Sequence, residues 1–368
     1  MDEYIVSARK YRPATFDTVV GQKSITTTLK NAVKNARLAH AYLFCGPRGV
    51  GKTTCARIFA KTINCLNLSA TQDVCGQCES CKAFDENRSF NIHELDAASN
   101  NSVDDIRQLI EKVQVPPQVG KYSVFIIDEV HMLSSAAFNA FLKTLEEPPS
   151  YAIFILATTE KHKILPTIIS RCQVFDFNRM TIADVVGQLK HVAQNEGIEA
   201  DEDGLAVIAQ KADGAMRDAL SIFDQIVAFS GKNITYKSVV ENLNVLDFDV
   251  FFSVTEAIIE HNYLKSMLLF NDVVSKGFDG LNFLNGLTHH MRNLLVAQNE
   301  QSINLLDVSE KVAERYIAQA KTIAPQDIIA YIDILSNYEL NYKTAHDKRQ
   351  HVEFALLKAS LHNDEKKK

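Results

Sequence analysis

The 368-residue sequence predicts an α/β domain built on a parallel β-sheet covered by helices, followed by a small helical domain and a larger all-helical domain. Three observations predict this order. Short apolar runs alternate with helical stretches over residues 1–178, a glycine-rich motif follows the first run, and only helical periodicity is found after residue 179. Continuous apolar runs are typical of strands buried on both faces of a parallel sheet. The five predicted strands are Ala41–Cys45, Phe90–Leu95, Ser123–Asp128, Ala152–Thr158 and Gln173–Phe177.

Helical patterns fill the rest of the chain. In residues 179–244, Thr181 and Asp184 resemble a capping box, Gly197 suits the end of that first helix, and two further helices are predicted, so we expect a small helical domain. Residues 245–362 are helical without a nucleotide or metal motif, which favours an oligomerisation domain. The polar residues 363–368 are predicted to be a disordered tail or the start of a linker.

Charge and hydropathy exclude several classes of protein. The net charge of −6 argues against DNA as a permanent partner, because dedicated DNA-binding domains are usually basic. The sequence has no run of eighteen apolar residues, and its N-terminus lacks the basic and apolar stretches of a signal peptide. We therefore expect a cytoplasmic protein without a membrane partner.

The glycine-rich motif reads G-x-x-x-x-G-K-T and lies between a predicted strand and a helix, which is the context of a phosphate-binding loop. Its backbone N–H groups and the helix N-terminus would surround phosphate oxygens. Lys52 is expected to contact the β- and γ-phosphates of ATP, the Thr53 hydroxyl to bind Mg²⁺, and Thr54 to contact the nucleotide. The expected nucleotide-binding residues here are Gly46, Pro47, Arg48, Gly49, Val50, Gly51, Lys52, Thr53 and Thr54.

Two carboxylates end the apolar strand that follows about 75 residues after this loop. An acidic pair at a strand end is usually a solvated loop, but the upstream phosphate loop makes catalysis the better interpretation. Asp128 is expected to hold Mg²⁺, and Glu129 to orient and deprotonate the attacking water.

Three cysteines lie within seven residues, which favours a metal site over disulfides in a cytosolic protein. A structural zinc site needs four ligands. The candidates for the fourth are Cys45, Cys55, Cys65 and Cys172. Cys65 is chosen because it ends a helix and leads into the cluster, whereas Cys55 is about 15 Å further back along that helix. The predicted zinc ligands, within an insertion at 65–81, are Cys65, Cys75, Cys78 and Cys81.

The motifs together resemble the AAA+ clamp-loader ATPases of the bacterial DNA polymerase III gamma/tau family. The resemblance is dense over the first 225 residues, and in the last 120 it is limited to length and helical character. The segments that carry it are 8–13, 20–22, 40–44, 128–133, 142–149, 157–159, 170–172 and 217–221.

The resemblance implies roles for residues that no general motif marks. Thr159, or its neighbour Thr158, would sense the γ-phosphate, and Arg217 would be a second sensor contributed by the helical lid. Arg171 would reach the ATP site of a neighbouring subunit and make hydrolysis depend on assembly. A structural arginine bonded to backbone carbonyls is the alternative for Arg171. The adenine pocket would be formed by Ala8, Tyr11, Arg12, Pro13 and Val20.

The function implied is that of an ATP-driven clamp-loader subunit, with an AAA+ domain at 1–178, a lid at 179–244 and a collar at 245–362. Expected partners are other clamp-loader subunits in a hetero-pentamer, a sliding clamp and primer–template DNA, contacted by Lys143 and Arg107. A polymerase and a helicase would bind a further C-terminal region. ATP, Mg²⁺ and zinc are the expected cofactors, and no polymerase active site is found.

Two other functions were weighed. Another AAA+ DNA motor, such as a branch-migration helicase, would form a closed hexamer, and the cysteine insertion and helical C-terminal region argue against it. A structural scaffold with a degenerate site would not keep Lys52, Asp128, Glu129 and Arg171 together.

Overall fold

The apolar runs of the N-terminal region form one parallel sheet. A computed structural model describes residues 5–69, 71–86, 88–243, 246–306, 308 and 310–362, and the tail predicted at 363–368 lies outside them. The strands, in the spatial order β2-β3-β4-β1-β5, are β1 (Ala41–Cys45), β2 (Ile92–Asp96), β3 (Ser123–Asp128), β4 (Ala152–Thr158) and β5 (Gln173–Asp176). The predicted bounds of β1, β3 and β4 are confirmed. β2 begins two residues later than predicted and β5 ends one residue earlier.

Both faces of the sheet are buried, because alternate residues of a strand point to opposite sides. Tyr42 and Phe44 belong to the core on one face, and Leu43 to the core on the other. The first core includes residues of α2 and α3, and the second includes residues of α5 and α6. The helices of this region are α1 (Ser7–Lys10), α2 (Lys23–Lys34), α3 (Lys52–Ile63), α4 (Glu79–Asp85), α5 (Val103–Val113), α6 (Ser135–Glu146) and α7 (Pro166–Ile169).

The next region contains four helices, one more than predicted, because α11 was not foreseen from the sequence. Thr181 caps α8 by accepting a hydrogen bond from the Asp184 N–H, and Gly197 ends that helix in the left-handed conformation, as predicted. Two strands of two residues each also pair in parallel, and such pairs are too short to produce an alternating pattern. The elements are α8 (Ile182–Glu196), β6 (Glu199–Ala200), α9 (Glu202–Lys211), α10 (Met216–Ser230), β7 (Asn233–Ile234) and α11 (Tyr236–Leu243).

The regular elements in the described part of the C-terminal region are helices, and four of them pack against α14. The apolar face predicted for this helix is buried, including Phe283, Leu287 and Met291. None of the described helices is both long and apolar enough to cross a membrane. The helices are α12 (Phe248–Ile259), α13 (Tyr263–Ser275), α14 (Gly280–Ala297), α15 (Glu310–Ala320), α16 (Pro325–Asn341) and α17 (Lys348–Leu361).

The described chain forms two compact units. One contains the residues up to 197 together with 208–225, and the other contains 198–207 together with the residues from 226 onward. The lid predicted at 179–244 contributes to both units, and its boundaries stay a prediction. The phosphate loop, both carboxylates and the cysteine cluster all belong to the first unit.

Candidate functional site

The glycine-rich loop connects β1 to α3 at the carboxyl edge of the sheet. Gly51 precedes α3 with a φ of 102°, a conformation that side-chain-bearing residues rarely adopt. Gly46 has a φ of 146°, and a Cβ there would lie 2.3 Å from the Phe177 carbonyl oxygen. Val50 is buried in the core, whereas Arg48 is exposed. The loop therefore presents its backbone and the helix N-terminus to an anion, as the motif predicts.

Lys52 begins α3 with its ammonium folded back over the loop. Its Nζ donates to the carbonyl oxygens of Gly46 at 2.8 Å and Pro47 at 2.7 Å, and only 5% of the residue is exposed. Burial lowers the pKa of Lys52, while the nearby carboxylates of Glu129 and Asp128 act in the opposite direction. The ammonium can exchange these carbonyl oxygens for phosphate oxygens that carry a full charge.

The two oxygens predicted to bind Mg²⁺ are adjacent. The Thr53 hydroxyl donates to the Asp128 carboxylate with 2.6 Å between Oγ1 and Oδ2. Mg²⁺ prefers oxygen ligands and is usually held by one or two protein groups plus phosphate oxygens and water. This donor set at the edge of the phosphate loop fits that ion.

Glu129 follows β3 in a left-handed backbone conformation, with a φ of 47°. Its Oε2 atom accepts hydrogen bonds from the Thr159 hydroxyl at 3.0 Å and the Thr159 N–H at 3.3 Å. Thr158 is fully buried, and its Oγ1 lies 3.0 Å from Nδ1 of His131. Of the two threonines considered as a γ-phosphate sensor, Thr159 is the one that contacts the predicted catalytic carboxylate.

The residues predicted to surround the adenine lie on and after α1. The Arg12 guanidinium donates from Nε to the Thr54 hydroxyl of α3 at 3.2 Å, so this segment contacts the helix that carries the phosphate loop. Tyr11 donates its hydroxyl to Glu196 of α8. Ala8, Pro13 and Val20 are half-buried.

The two predicted arginines occupy different surroundings. Arg217 lies in the first turn of α10, with its backbone nitrogen 3.5 Å from the carbonyl oxygen of Gly49 in the phosphate loop. Arg171 follows α7, donates to the Thr167 carbonyl at 2.7 Å and pairs with Glu146 at 2.7 Å. The backbone of Arg217 is therefore next to the phosphate loop, whereas Arg171 is on the surface with its side chain 35% exposed.

Both residues proposed to contact DNA are exposed, and one of them already forms an ion pair within the chain. Arg107 of α5 pairs with Asp104 at 3.1 Å, and Lys143 of α6 is exposed.

The four cysteines chosen from the sequence converge at the carboxyl end of α3. Their Sγ atoms all lie within 4.8 Å of one another, and those of Cys65 and Cys75 are 3.6 Å apart. In a tetrahedral zinc site with Zn–S bonds of about 2.3 Å, the sulfurs are about 3.8 Å apart. Cys81 is buried on the short helix α4. The arrangement fits a zinc ion held by all four thiolates.

The other three cysteines lie outside the cluster in the part of the chain that the structure describes. Burial raises the pKa of Cys45 to about 11, and that of Cys55 and of Cys172 to about 12. In the cluster, the N–H groups of Gln77 and Cys78 lower the pKa of Cys75 to about 6. Burial also raises the pKa of Cys65 and of Cys81, so these pKa values do not distinguish the cluster from the other cysteines. The choice of Cys65 as the fourth ligand agrees with the geometry, because its sulfur lies in the cluster.

Known proteins resemble the chain along nearly its whole length. Three family profiles match in succession: "DNA polymerase III, delta subunit" at residues 21–181, "DNA polymerase III clamp loader subunit, ATPase lid domain" at 184–232, and "DNA polymerase III subunits gamma and tau domain III" at 234–367. The DNA polymerase III subunit gamma of Buchnera aphidicola subsp. Acyrthosiphon pisum is 36% identical over 96% of this chain and 98% of its own length. This chain belongs to the gamma/tau family of DNA polymerase III subunits.

Longer gamma/tau relatives match the chain with slightly higher identity. The tau subunits of Bacillus subtilis and Escherichia coli are each 39% identical to it, over 95% and 97% of its residues. The chain spans 62% and 55% of those two proteins.

Solved structures share the fold only distantly. The Thermotoga maritima RuvB Holliday junction branch migration motor is 20% identical, with a TM-score of 0.48 over 67% of this chain and 79% of its own. The Bacillus subtilis DNA clamp loader delta protein is 14% identical, with a TM-score of 0.39 over 91% and 99%. Neither score adds to the assignment to the gamma/tau family.

Sequence reasoning missed one part of the site. His131 lies within 3.4 Å of Glu129, Glu160 and Thr158, and the sequence indicated it only as part of the segment 128–133. The available signal was a histidine two residues after the predicted catalytic carboxylate, on the turn that follows β3.

Proposed function

We propose that this gamma/tau family member is an ATP-hydrolysing motor subunit of a clamp loader, which places a sliding clamp on primed DNA during replication. One observation carries the ATPase part of the proposal: Thr53 and Asp128 share a 2.6 Å hydrogen bond beside the ammonium of Lys52. That juxtaposition brings together a phosphate-binding cation and the oxygens that suit Mg²⁺.

Each residue then has a distinct task in hydrolysis. Lys52 and the loop N–H groups bind and orient the phosphates, and Mg²⁺ held by Thr53 and Asp128 supplies positive charge to the phosphate oxygens. Glu129 accepts the proton of the attacking water. Arg217 contributes a second cation at the phosphate loop.

Arg171 is proposed to act on a neighbouring subunit. Its pairing with Glu146 holds the side chain at the surface, and a guanidinium can exchange a carboxylate for a phosphate oxygen because both accept its planar donors. Hydrolysis would then depend on assembly with other clamp-loader subunits in a hetero-pentamer, located with DNA in the cytoplasm. Lys143 and Arg107 remain candidates for phosphate contacts with primer–template DNA.

The cysteine cluster is proposed to hold structural zinc. Four thiolates complete a tetrahedral site and leave no position for a reacting water. The ion would fix the 65–81 insertion on the end of α3 and take no part in hydrolysis.

The test is steady-state ATPase activity of the chain alone, and of the chain with other clamp-loader subunits, clamp and primed DNA. The variants are Glu129→Gln, which removes the base, and Arg171→Ala, which removes the trans cation. We expect strong stimulation in the complete mixture, loss of activity with Glu129→Gln, and loss of about 10³-fold or more of the stimulation with Arg171→Ala.

Two results would overturn parts of this proposal. Activity that is equal alone and in the mixture, and indifferent to Arg171, would refute hydrolysis across an interface. Stimulation by four-way DNA junctions, and none by clamp with primed DNA, would instead favour a branch-migration motor.

A further inference from the structure

Residues 216–225 of α10 belong to the first unit, which they contact at two points on one face of the helix. The start of α10 contacts the phosphate loop: a Cβ added at Gly49 would lie 2.9 Å from the Cβ of Ala215 and 3.6 Å from that of Arg217. Two turns later, Asp224 contacts the N-terminal segment of the chain. Seven residues of an α-helix make nearly two full turns and span about 10.5 Å, so Arg217 and Asp224 share a face.

Ser7 is the residue that binds Asp224. Its N–H donates to Oδ2 at 2.7 Å and its hydroxyl donates to Oδ1, so one residue binds both oxygens of the carboxylate. Ser7 begins α1, where an N–H group has no acceptor within its own helix, and only 7% of the residue is exposed. Removing the carboxylate would leave a buried donor unsatisfied, which costs more than an ordinary hydrogen bond contributes.

The segment that contains Ser7 is itself fixed to two other helices of the first unit. Arg12 donates from Nε to the Thr54 hydroxyl of α3 at 3.2 Å. Lys10 pairs at 2.6 Å with Glu196, the last residue of α8. These contacts do not involve Asp224, so they give the second attachment point of α10 a position of its own.

We infer that Ser7 and Asp224 are positioning residues: by fixing α10 two turns beyond its start, they hold the Arg217 backbone next to the phosphate loop and so determine where its guanidinium can reach. The inference rests on the proposed function, in which Arg217 supplies a second cation to the nucleotide phosphates. The effect of Asp224 on hydrolysis would pass through Arg217, because a carboxylate has the same sign of charge as the phosphates.

Three variants change the contact by different amounts. Asp224→Asn keeps the shape, and its amide can accept from the Ser7 N–H while it donates to the Ser7 oxygen. Asp224→Ala removes both hydrogen bonds, whereas Ser7→Ala removes only that of the hydroxyl. In the stimulated mixture, kcat should stay within about twofold of wild type for Asp224→Asn, fall about three- to fivefold for Ser7→Ala and fall about 10- to 30-fold for Asp224→Ala, because a displaced group at a reaction site costs rate.

The main measurement is a double-mutant cycle in kcat between Asp224→Ala and Arg217→Ala. We expect Arg217→Ala to lose about 10- to 100-fold of kcat, since it removes a cation at the phosphates. The double variant should be no more than about threefold below Arg217→Ala, because both substitutions remove the same interaction. Ser7→Ala with Arg217→Ala gives the same cycle if Asp224→Ala does not fold.

Thr181→Ala is the matched control for stability. It removes the cap of α8 and should lower the unfolding midpoint, while α10 keeps both of its attachments. Its kcat should therefore stay within about twofold of wild type, as expected for a site without shared partners. The unfolding midpoint is measured for every variant.

The possible outcomes are distinguishable. Losses of kcat that multiply in the double variant, or a loss with Thr181→Ala as large as with Asp224→Ala, would show that Asp224 only supports the fold and would overturn the inference. Unchanged kcat with Asp224→Ala or with Arg217→Ala would overturn it as well. No hydrolysis by wild type, or wild-type rates with Lys52→Ala, would refute the proposed function itself.

Discussion

Replacing Gly46 with alanine should destabilise the phosphate loop, because there is no room for the added methyl group. The added Cβ would lie 2.3 Å from the carbonyl oxygen of Phe177, whereas ordinary contact begins at 3.4 Å. That carbonyl cannot retreat freely, because the Phe177 N–H donates to Cys45 of β1 at 2.7 Å. The φ of 146° is also strained for any residue with a Cβ.

The two costs can be added. A sparsely populated backbone region costs about 1–3 kcal/mol, and overpacking costs about 1–3 kcal/mol. Gly46→Ala should therefore reduce the free energy of unfolding of the first unit by about 2–6 kcal/mol. Gly197→Ala is the matched control: its φ is 64°, but a Cβ there meets nothing within 4 Å, so the backbone cost of about 1–2 kcal/mol acts alone.

The assay is urea unfolding followed by circular dichroism, combined with the affinity for a fluorescent ADP analogue. Gly46→Ala should lower the urea concentration at which the first unit unfolds by more than Gly197→Ala does. It should also abolish nucleotide binding, which the Gly197→Ala control retains. Equal shifts for the two variants, with ADP binding intact in both, would refute the argument that the close approach of Phe177 requires glycine.

Three further predictions test the rest of the site and the helical region. Thr53→Ala should weaken the affinity for ATP in the presence of Mg²⁺ by about tenfold, equivalent to about 1.4 kcal/mol, and leave ADP binding without Mg²⁺ unchanged. Calorimetry with and without Mg²⁺ measures both affinities, and Thr53→Ser should behave as wild type. Cys75→Ser should remove bound zinc and lower the unfolding temperature, whereas Cys172→Ser should keep zinc, as measured by metal analysis. Burial lowers the pKa of His290 to about 3. Below pH 6.5 the unfolded state therefore binds more protons than the folded state, and the free energy of unfolding should fall by about 1.4 kcal/mol per pH unit from pH 6.5 towards 3. His290→Gln should reduce this pH dependence, as measured by urea unfolding.

The fold could be predicted where packing leaves a repeating pattern. β3 and β4 are buried on both faces, and their apolar runs gave the observed bounds. β2 is an edge strand with alternating burial, and its apolar signal is too weak to define where it begins. The two-residue pair of β6 and β7 lies below the length at which any period can be recognised.

The sequence predicts those parts of the site where one motif determines both the residue type and the backbone conformation. The Thr53–Asp128 contact follows from a phosphate loop and a strand end that meet at the same edge of a parallel sheet. The contacts of His131 with Glu129 and Glu160 could not be predicted, because they depend on a left-handed residue and on a segment about 30 residues further along the chain. Local sequence patterns do not reveal contacts between segments so far apart along the chain.

The zinc proposed for the cysteine cluster would have no chemical role, but the position of the cluster gives it a structural link to the nucleotide site. α3 begins at the phosphate loop and ends two residues before Cys65, so one helix supports both sites. Lys61 of α3 holds Asp85 of α4 at 2.7 Å, and the Arg57 guanidinium lies over the Phe84 ring at 4.7 Å. A seven-residue helix such as α4 is too short to be stable alone, so its position depends on these contacts and on Cys81. Loss of the metal should therefore loosen α4 first and reach the phosphate loop only through α3, which makes weaker ADP binding a consequence of lost stability.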